Sequence, residues 1–235
     1  MHKTVSIKAQ DKGEFSAYVA FPETDMPAPA VVVAQEIFGV NKVMRDVCDY
    51  LAQAGFIGIC PDLFWRQEKG VDLTDQSDAE WQKAFALYKG FDETLGVKDL
   101  IATLDFARNM AECTGKAGAM GYCLGGKLAY LMATRSDASC SVSYYGVGIE
   151  NSLEEAKNIK NPLLMHIAEK DKFVSLDAQQ KIMQALKNNA VVNINVYPDV
   201  DHAFARVGGA HYDKTAAQTA NYRTADFLAV HLTAS

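Results

Sequence analysis

Short apolar segments alternate with longer amphipathic segments along most of this 235-residue chain. The run Ala30–Ala34 is continuously apolar, which is typical of a strand buried on both faces. Residues 42–54 place apolar side chains at helical spacing, and Gly55 follows in the position of a C-terminal cap. The same patterns predict further strands at 56–60, 117–122, 139–145, 162–167 and 192–197, and further helices at 95–110, 124–135, 176–188 and 214–231. This order predicts an α/β fold with a mostly parallel central sheet and helices on both faces.

Two segments depart from this alternation. Residues 3–9 and 14–21 alternate apolar and polar side chains on either side of a turn, which predicts a β-hairpin. Residues 61–94 form a polar insertion whose helical part carries three aromatic side chains, Trp81, Phe85 and Tyr88. We interpret this insertion as a cap over a site, although its periodicity alone favours a packed surface segment with the aromatic side chains in the core.

Composition excludes several classes of protein. Hydrophobic residues make up 49% of the chain and charged residues 22%, so the chain can bury a large core, and we expect one domain over residues 1–235. The net charge of -6 comes without a basic block, so no nucleic-acid partner is expected. No apolar run approaches the roughly 20 residues that span a bilayer, and residues 1–11 lack the apolar core of a signal peptide. We therefore expect a cytoplasmic protein without a membrane partner.

The five cysteines fit neither a disulfide framework nor a zinc site, because their number is odd and no Cys-x-x-Cys pair occurs. No metal is therefore expected. Cys48 and Cys60 lie in apolar patterns and are predicted to be small buried hydrophobes.

The most specific local signal is the segment Gly121–Gly126, which reads Gly-Tyr-Cys-Leu-Gly-Gly. It lies between a predicted strand and a predicted helix and matches Gly-x-nucleophile-x-Gly, with Cys123 in place of the usual serine. Glycines flank such a nucleophile because a Cβ would clash in the sharp turn, and the start of a helix stabilises a thiolate. The alternative is a glycine-rich turn with a buried cysteine.

A thiolate nucleophile needs a histidine base, and the histidine needs a carboxylate that orients it. In hydrolases with this strand-turn-helix nucleophile the acid and then the histidine follow on loops after later strands. Asp171 and His202 fit these positions, whereas Glu169 and Asp201 are alternative carboxylates. The other histidines are predicted to be structural or solvated: His2, His166, His211 and His231.

These residues resemble the dienelactone hydrolase (carboxymethylenebutenolidase) family of α/β-hydrolases over nearly the whole chain. The stretches that carry the resemblance are Ala34–Asn41, Cys60–Leu63, Gly121–Gly126, Tyr144–Gly148 and His202–Arg206. The resemblance implies a monomeric α/β-hydrolase fold without a metal or other cofactor. It also implies the opening of an unsaturated cyclic ester that bears a carboxylate, from dienelactone to maleylacetate, in the degradation of chloroaromatic compounds.

The resemblance also implies roles for the segment after the first inner strand. Glu36 matches a glutamate that contacts the resting thiol and acts as an activation switch. A nearby carboxylate can accept the thiol proton, while its charge disfavours a free thiolate until the side chain moves. The oxyanion hole would consist of the backbone N–H groups of Ile37 and Leu124.

The predicted substrate pocket departs from the family pattern. Arg206 matches an arginine that holds the substrate carboxylate, but Trp81 stands where a second arginine is expected. Phe85 and Ala203 replace a tyrosine and a serine, so carboxylate binding should be weaker. Arg66 or Lys83 could compensate, although a solvated surface charge is the simpler interpretation of each. The remaining predicted pocket residues are Phe38, Tyr145 and Phe173.

Two alternatives to dienelactone hydrolysis stay open. The first is a related carboxyl-ester hydrolase with a different small substrate, which the residues at positions 81, 85 and 203 favour. The second is a ligand-binding or redox-sensing protein in which Cys123 is oxidised without turnover. A sensor thiol needs no aspartate and histidine on later strands, so the order of the three residues favours an enzyme.

Overall fold

The structure is a computed structural model that describes residues 1–233 and contains two compact units, Met1–Ala119 and the residues from Met120 onward. The first unit holds β1 (His2–Lys8), β2 (Glu14–Ala20), β3 (Ala28–Ala34), α1 (Lys42–Gln53), β4 (Ile57–Pro61), α2 (Asp78–Lys89), α3 (Glu93–Arg108) and most of β5 (Cys113–Tyr122). The second unit holds the end of β5, α4 (Leu124–Arg135), β6 (Ser141–Tyr144), a 3-10 segment (Ile149–Asn158), β7 (Leu163–Ala168), α5 (Leu176–Leu186), β8 (Val192–Tyr197) and α6 (Lys214–Thr233).

The strands form the mostly parallel, eight-stranded sheet of an α/β fold, so the predicted fold class is confirmed. Their order is β1-β2-β4-β3-β5 in the first unit and β5-β6-β7-β8 in the second. The predicted hairpin is the antiparallel pair β1-β2, in which His2 pairs with Ala20. The pairs β3-β4, β6-β7 and β7-β8 are parallel.

Strands β3 and β7 are buried along their whole length, which explains why their sequences are continuously apolar rather than alternating. Helices begin where a polar side chain accepts a hydrogen bond from the first turn. These N-caps are Asn41 for α1, Ser77 for α2, Asp92 for α3 and Ser175 for α5. Helix α1 ends as predicted, with Gly55 at a positive φ of 92° directly after the C-cap.

Helix α4 differs from these helices because it begins directly after Cys123, which makes no side-chain capping bond. The side chain of Cys123 therefore does not occupy the first N–H groups of this helix, which at other helix termini can bind an anion. Within residues 1–233, no helix is both long enough and apolar enough to cross a membrane.

Candidate active site

Cys123 occupies a strained corner between β5 and α4. Its φ of 57° and ψ of -116° lie in a region that L-residues rarely adopt. The backbone N–H of Cys123 donates to the carbonyl of Tyr144 (3.1 Å), and its own carbonyl accepts from the N–H of Gly126 (3.0 Å). These bonds hold a side chain that is 8% exposed in the geometry expected of a nucleophile at a strand-to-helix turn.

Two glycines make this corner possible. A Cβ on Gly126 would lie 2.3 Å from the carbonyl oxygen of Tyr144 and 2.8 Å from the Cα of Gly146. A Cβ on Gly146 would in turn lie 2.7 Å from the backbone of Gly126. The Gly121–Gly126 and Tyr144–Gly148 stretches therefore require glycine at these two positions because their backbones touch.

His202 and Asp171 form a buried pair in the second unit. Nδ1 of His202 lies 2.9 Å from Oδ2 and 3.1 Å from Oδ1 of Asp171. Oδ1 also accepts from the backbone N–H groups of Phe173 (2.8 Å) and Val174 (3.1 Å). The carboxylate is thus fixed by its own loop before it meets the imidazole, as an orienting acid should be.

The two alternative carboxylates have other partners. Asp201 accepts from the backbone N–H of His202 (2.7 Å) and from that of Lys172 (3.0 Å), so it ties together the loops that carry the histidine and the acid. Glu169 accepts from the backbone N–H of Asp199 (3.0 Å). Of the three carboxylates, Asp171 is therefore the one that the structure brings to the imidazole ring.

The ring of His202 is a strong base in this setting. Burial alone disfavours its charged form, but the attraction of an ionised Cys123 and the hydrogen bond with Asp171 outweigh burial and raise the pKa of His202 to about 10. A proton taken from the thiol of Cys123 is therefore held well by this imidazole.

Aromatic rings surround the imidazole of His202. The ring of Tyr145 lies 5.1 Å from it and that of Phe173 lies 4.9 Å from it, both edge to face. Phe173 is 49% exposed, whereas Tyr145 is buried. Tyr145 has a positive φ of 36° and Ala203 has one of 63°, so strained backbone occurs on both sides of the histidine as well as at Cys123.

Arg206 and Leu124, the other predicted site residues of the second unit, are both buried. The backbone N–H of Arg206 donates to the carbonyl of Ala203 (2.9 Å), which closes a tight turn directly after His202. Leu124 is the first residue of α4, so its N–H belongs to the helix terminus next to the thiol.

In the first unit, the segment after β3 is held by polar bonds to the insertion. Oε1 of Gln35 accepts from the backbone N–H of Leu63 (3.0 Å), and the carbonyl of Phe38 accepts from that of Leu73 (3.0 Å). Glu36 and Ile37 lie between these two anchors and are buried, with exposures of 1% and 5%. The Ala34–Asn41 and Cys60–Leu63 stretches are therefore physically linked.

An aromatic stack contains Trp81 and Phe85, two residues at which the sequence was predicted to depart from the family pattern. The ring of Phe38 packs edge-on against Trp81 (5.0 Å), and Phe85 stacks on Trp81 (5.4 Å). The indole Nε1 of Trp81 donates to the carbonyl of Asp75 (3.0 Å), so the indole is fixed in place. Phe85 is 43% exposed.

The two cations that the sequence offered as substitutes for the missing arginine are engaged elsewhere. Arg66 pairs with the fully buried Asp99 and with Asp11. Lys83 pairs with Glu68 at 2.6 Å. Their first-unit partners explain both charges without a substrate.

The remaining histidines are placed as follows. His166 is buried within β7, as predicted for a core histidine, and hydrogen bonds occupy both of its ring nitrogens. His2 stacks on Tyr18, and His231 packs against Phe227. His211 lies 3.8 Å from Asp201. Within residues 1–233, no group of three or more His, Cys, Asp or Glu side chains could hold a metal ion.

The sequence and the fold of this protein are similar to those of known proteins. The profile of the Dienelactone hydrolase family matches residues 15–232. A protein of Azospirillum brasilense named "Putative carboxymethylenebutenolidase" is 52% identical, over 97% of this chain and 98% of its own length. The carboxymethylenebutenolidase of Pseudomonas putida is 40% identical, over 96% and 95%. The crystal structure of a "Putative Dienelactone Hydrolase" from Klebsiella pneumoniae is 28% identical, with a TM-score of 0.84 over 97% of this chain and 99% of that one.

The fold and these relatives define an α/β-hydrolase that cleaves carboxylic esters or lactones. Within that class, the chain belongs to the dienelactone hydrolase family. Its relatives support an activity of the dienelactone hydrolase type.

Proposed function

We propose that this protein hydrolyses a small unsaturated lactone, dienelactone, to maleylacetate with Cys123 as the nucleophile. The observation that carries the proposal is the strained corner at Cys123 in the same compact unit as the buried His202–Asp171 pair. A cysteine without a catalytic role does not require a positive φ, and a histidine without one does not require a carboxylate 2.9 Å away. The presence of both in one unit therefore supports nucleophilic catalysis.

In the acylation step, His202 accepts the thiol proton and the sulfur of Cys123 attacks the lactone carbonyl. The resulting oxyanion is stabilised by the backbone N–H of Leu124 at the start of α4 and by that of Ile37. Collapse of this intermediate breaks the ring C–O bond and releases an enolate that stays attached to the acyl group. The enolate takes up the proton that His202 accepted from the thiol, so that His202 is neutral again. The enol then rearranges to the ketone, while a thioester remains on Cys123.

In the deacylation step, water gives a proton to His202 and attacks the thioester carbonyl. Breakage of the C–S bond returns the electron pair to sulfur and leaves a second carboxylate on the product. One water is consumed for each lactone, and the thiol is regenerated. Asp171 keeps the imidazole oriented through both steps by its bond to Nδ1.

We assign the remaining predicted residues to activation and binding. Glu36 is the proposed activation switch that contacts the thiol in the resting enzyme and moves away before His202 takes the thiol proton, as the family resemblance implies. Its burial at 1% exposure suits a carboxylate that acts inside a protein rather than in solvent. Arg206 is the proposed partner of the substrate carboxylate.

A different small ester is the second candidate substrate. The observation that favours it is the Phe38–Trp81–Phe85 stack, which offers apolar surface where a second arginine would hold a carboxylate. Turnover of uncharged aryl or alkyl esters with a lower KM than that of dienelactone would support this candidate. The variant Trp81→Arg should then lower the KM for dienelactone and raise it for the uncharged ester.

The proposed function is tested by hydrolysis of cis- and trans-dienelactone, followed through loss of the conjugated chromophore. Cys123→Ser should lower kcat by at least about 10³-fold, since serine keeps the geometry but lacks the acidity of a thiol. The matched control is Cys113→Ser, because Cys113 is a half-buried thiol in β5 outside the proposed triad. Equal loss in both variants, or full activity in Cys123→Ser, would sink the proposal.

Assays with an aryl ester distinguish an enzyme from a thiol sensor. An enzyme releases phenolate from an aryl ester in many turnovers, and that release depends on Cys123. A sensor is modified once and then stops, so the amount of phenolate released would not exceed one equivalent.

We also propose that the chain acts as a cytoplasmic monomer in the degradation of chloroaromatic compounds, and that residues 1–235 are one domain. A single family profile over residues 15–232 supports one domain. Sedimentation at two protein concentrations tests the monomer. A single cooperative unfolding transition, seen alike by tryptophan fluorescence and circular dichroism, tests the domain.

A further inference from the structure

A network of hydrogen bonds in the second unit runs from α6 through β8, β7 and β6 and returns to α6. Arg223 donates to the hydroxyl of Tyr197 (3.1 Å), and that hydroxyl lies 2.9 Å from Nδ1 of His166. Nε2 of His166 lies 2.9 Å from the hydroxyl of Thr224. The chain then continues through the hydroxyl of Tyr144, which lies 2.6 Å from that of Thr224, and ends at Oδ1 of Asn221 (3.0 Å).

The groups at the two ends of this hydrogen-bond network determine which atom donates in the bonds next to them. A guanidinium only donates, so the oxygen of Tyr197 accepts from Arg223, and the proton of its hydroxyl remains available to Nδ1 of His166. At the other end, Tyr144 gives its single proton to the carbonyl oxygen of Asn221.

The hydroxyl of Thr224 must therefore donate to Tyr144 and accept from Nε2 of His166. Nε2 of His166 thus carries a proton.

Burial, together with the positive charge of Arg223, lowers the pKa of His166 to about 3, so the ring stays neutral throughout the physiological range. A second proton would have to sit on Nδ1, where the proton of Tyr197 already points. With the ring neutral and its proton on Nε2, Nδ1 accepts the proton of Tyr197, and this gives the hydrogen-bond network its proton arrangement.

One member of this hydrogen-bond network, Tyr144, contacts the candidate site. Tyr144 packs on the ring of His166 at 4.4 Å, and its carbonyl accepts from the N–H of Cys123 (3.1 Å). The next residue, Tyr145, donates its N–H to the carbonyl of His166 (2.8 Å) and lays its ring 5.1 Å from that of His202. His166 therefore reaches the neighbours of both the nucleophile and the base.

We propose that His166 is a positioning residue, which through Thr224 and Tyr144 holds the strained Tyr144–Tyr145 backbone that aligns Cys123 with His202. This inference rests on the proposed function of Cys123 and His202. His166 itself touches no reacting atom, because it is 1% exposed and both ring nitrogens are engaged. Its loss is therefore expected to lower the rate of the chemical step and to leave substrate binding unchanged.

The test uses two variants in which a side-chain amide stands in for the imidazole of His166, and each amide can replace only one of the two ring nitrogens. His166→Gln places its donor near the position of Nε2 and keeps the bond to Thr224, whereas His166→Asn reaches only the Tyr197 side. The proposal expects kcat within about threefold of wild type for Gln and at least about tenfold lower for Asn, with KM changed less than about twofold in both. Equal kcat values for the two amides would overturn it.

A second pair of variants, at Thr224, provides a test that does not require the His166 variants to be stable. Thr224→Ser retains the hydroxyl that links His166 to Tyr144, and Thr224→Val replaces it by a methyl group of similar volume. We expect kcat to survive in Ser and to fall about tenfold or more in Val, measured at a temperature where circular dichroism shows both to be folded. Retention of kcat in Val would contradict the proposal.

An NMR measurement without substrate tests the positioning role of His166 separately from the proposed function. In ¹⁵N-labelled wild-type protein, His166 should show the Nε2–H tautomer, and the ring resonances of His202 should shift in His166→Asn and not in His166→Gln. An inactive wild-type protein with these shifts would refute the proposed function alone. An active protein whose His202 resonances ignore both substitutions would refute the positioning role alone.

Discussion

Gly126 and Gly146 approach each other so closely that neither can carry a side chain. The Cβ of an alanine at position 126 would lie 2.8 Å from the Cα of Gly146 and 2.9 Å from its nitrogen. These are backbone atoms, which cannot turn aside as the end of a flexible side chain can. The contact joins the first turn of α4 to the residues that follow β6, next to the corner at Cys123.

Gly126→Ala should therefore destabilise the protein by about 3 kcal/mol, the upper end of the usual cost of overpacking, although alanine is the better helix former. The control is Gly115→Ala, where no atom lies within 4 Å and only the positive φ of 87° opposes the change. Its expected cost is about 1 kcal/mol. Urea denaturation of both variants measures the difference, and equal costs would show that the contact relaxes.

Asp171→Asn should lower kcat by about 10³- to 10⁴-fold, because an amide can stabilise the wrong tautomer of His202 and carries no charge. Its oxygen can still accept from the N–H groups of Phe173 and Val174, so the loop should remain folded. The matched control is Asp201→Asn, which keeps an acceptor for the N–H of His202. A loss of kcat beyond about threefold in this control would mean that the orienting acid has been assigned to the wrong carboxylate.

His166 should make the protein sensitive to acid. Its pKa is about 3 in the folded state and about 6.5 in an unfolded chain, so between these values the unfolded state binds more protons and stability falls as pH falls. The expected slope is about 1.4 kcal/mol per pH unit. Between pH 6.5 and 4.5, wild type should lose about 2 to 3 kcal/mol more than His166→Gln. Parallel stability curves for the two proteins would contradict this.

Arg66→Met should destabilise the protein by about 3 to 5 kcal/mol, because Asp99 is fully buried and would lose its cation. Lys83→Met removes an exposed pair with Glu68 and should cost less than about 1 kcal/mol. Neither change should alter the KM for dienelactone by more than about twofold. A rise in KM with Arg66→Met would revive the idea that this arginine binds the substrate carboxylate.

Hydrophobic periodicity was sufficient to predict the regular elements. Helix α4 begins and ends where its pattern predicts, and β8 likewise spans 192–197. The 3-10 segment Ile149–Asn158 was not predicted, because it is short and includes a non-helical residue, Ser152. Strand β5 begins four residues before its predicted start, where Thr114 and Gly115 are exposed and no apolar pattern marks the strand.

The chemistry at the candidate site was less evenly predictable. Gly-x-Cys-x-Gly and the later Asp171 and His202 follow from chain order, and the structure brings the latter two together. The chain through His166 could not be predicted, because Tyr197 and Thr224 are 31 and 58 residues away from it and only folding joins them. The carboxylate at Asp201 was noticed, but its bond to the backbone of His202 needed the structure.

The one-way chain from Arg223 to Asn221 has a consequence for how this sequence can change over time. Each hydroxyl in the middle of the chain gives one proton and receives one, so a substitution that removes a donor leaves the next acceptor in the network unsatisfied. Single replacements of Thr224, Tyr144 or Tyr197 are therefore costly, while paired replacements that restore the direction are cheaper. Related sequences should show these positions changing together rather than one at a time.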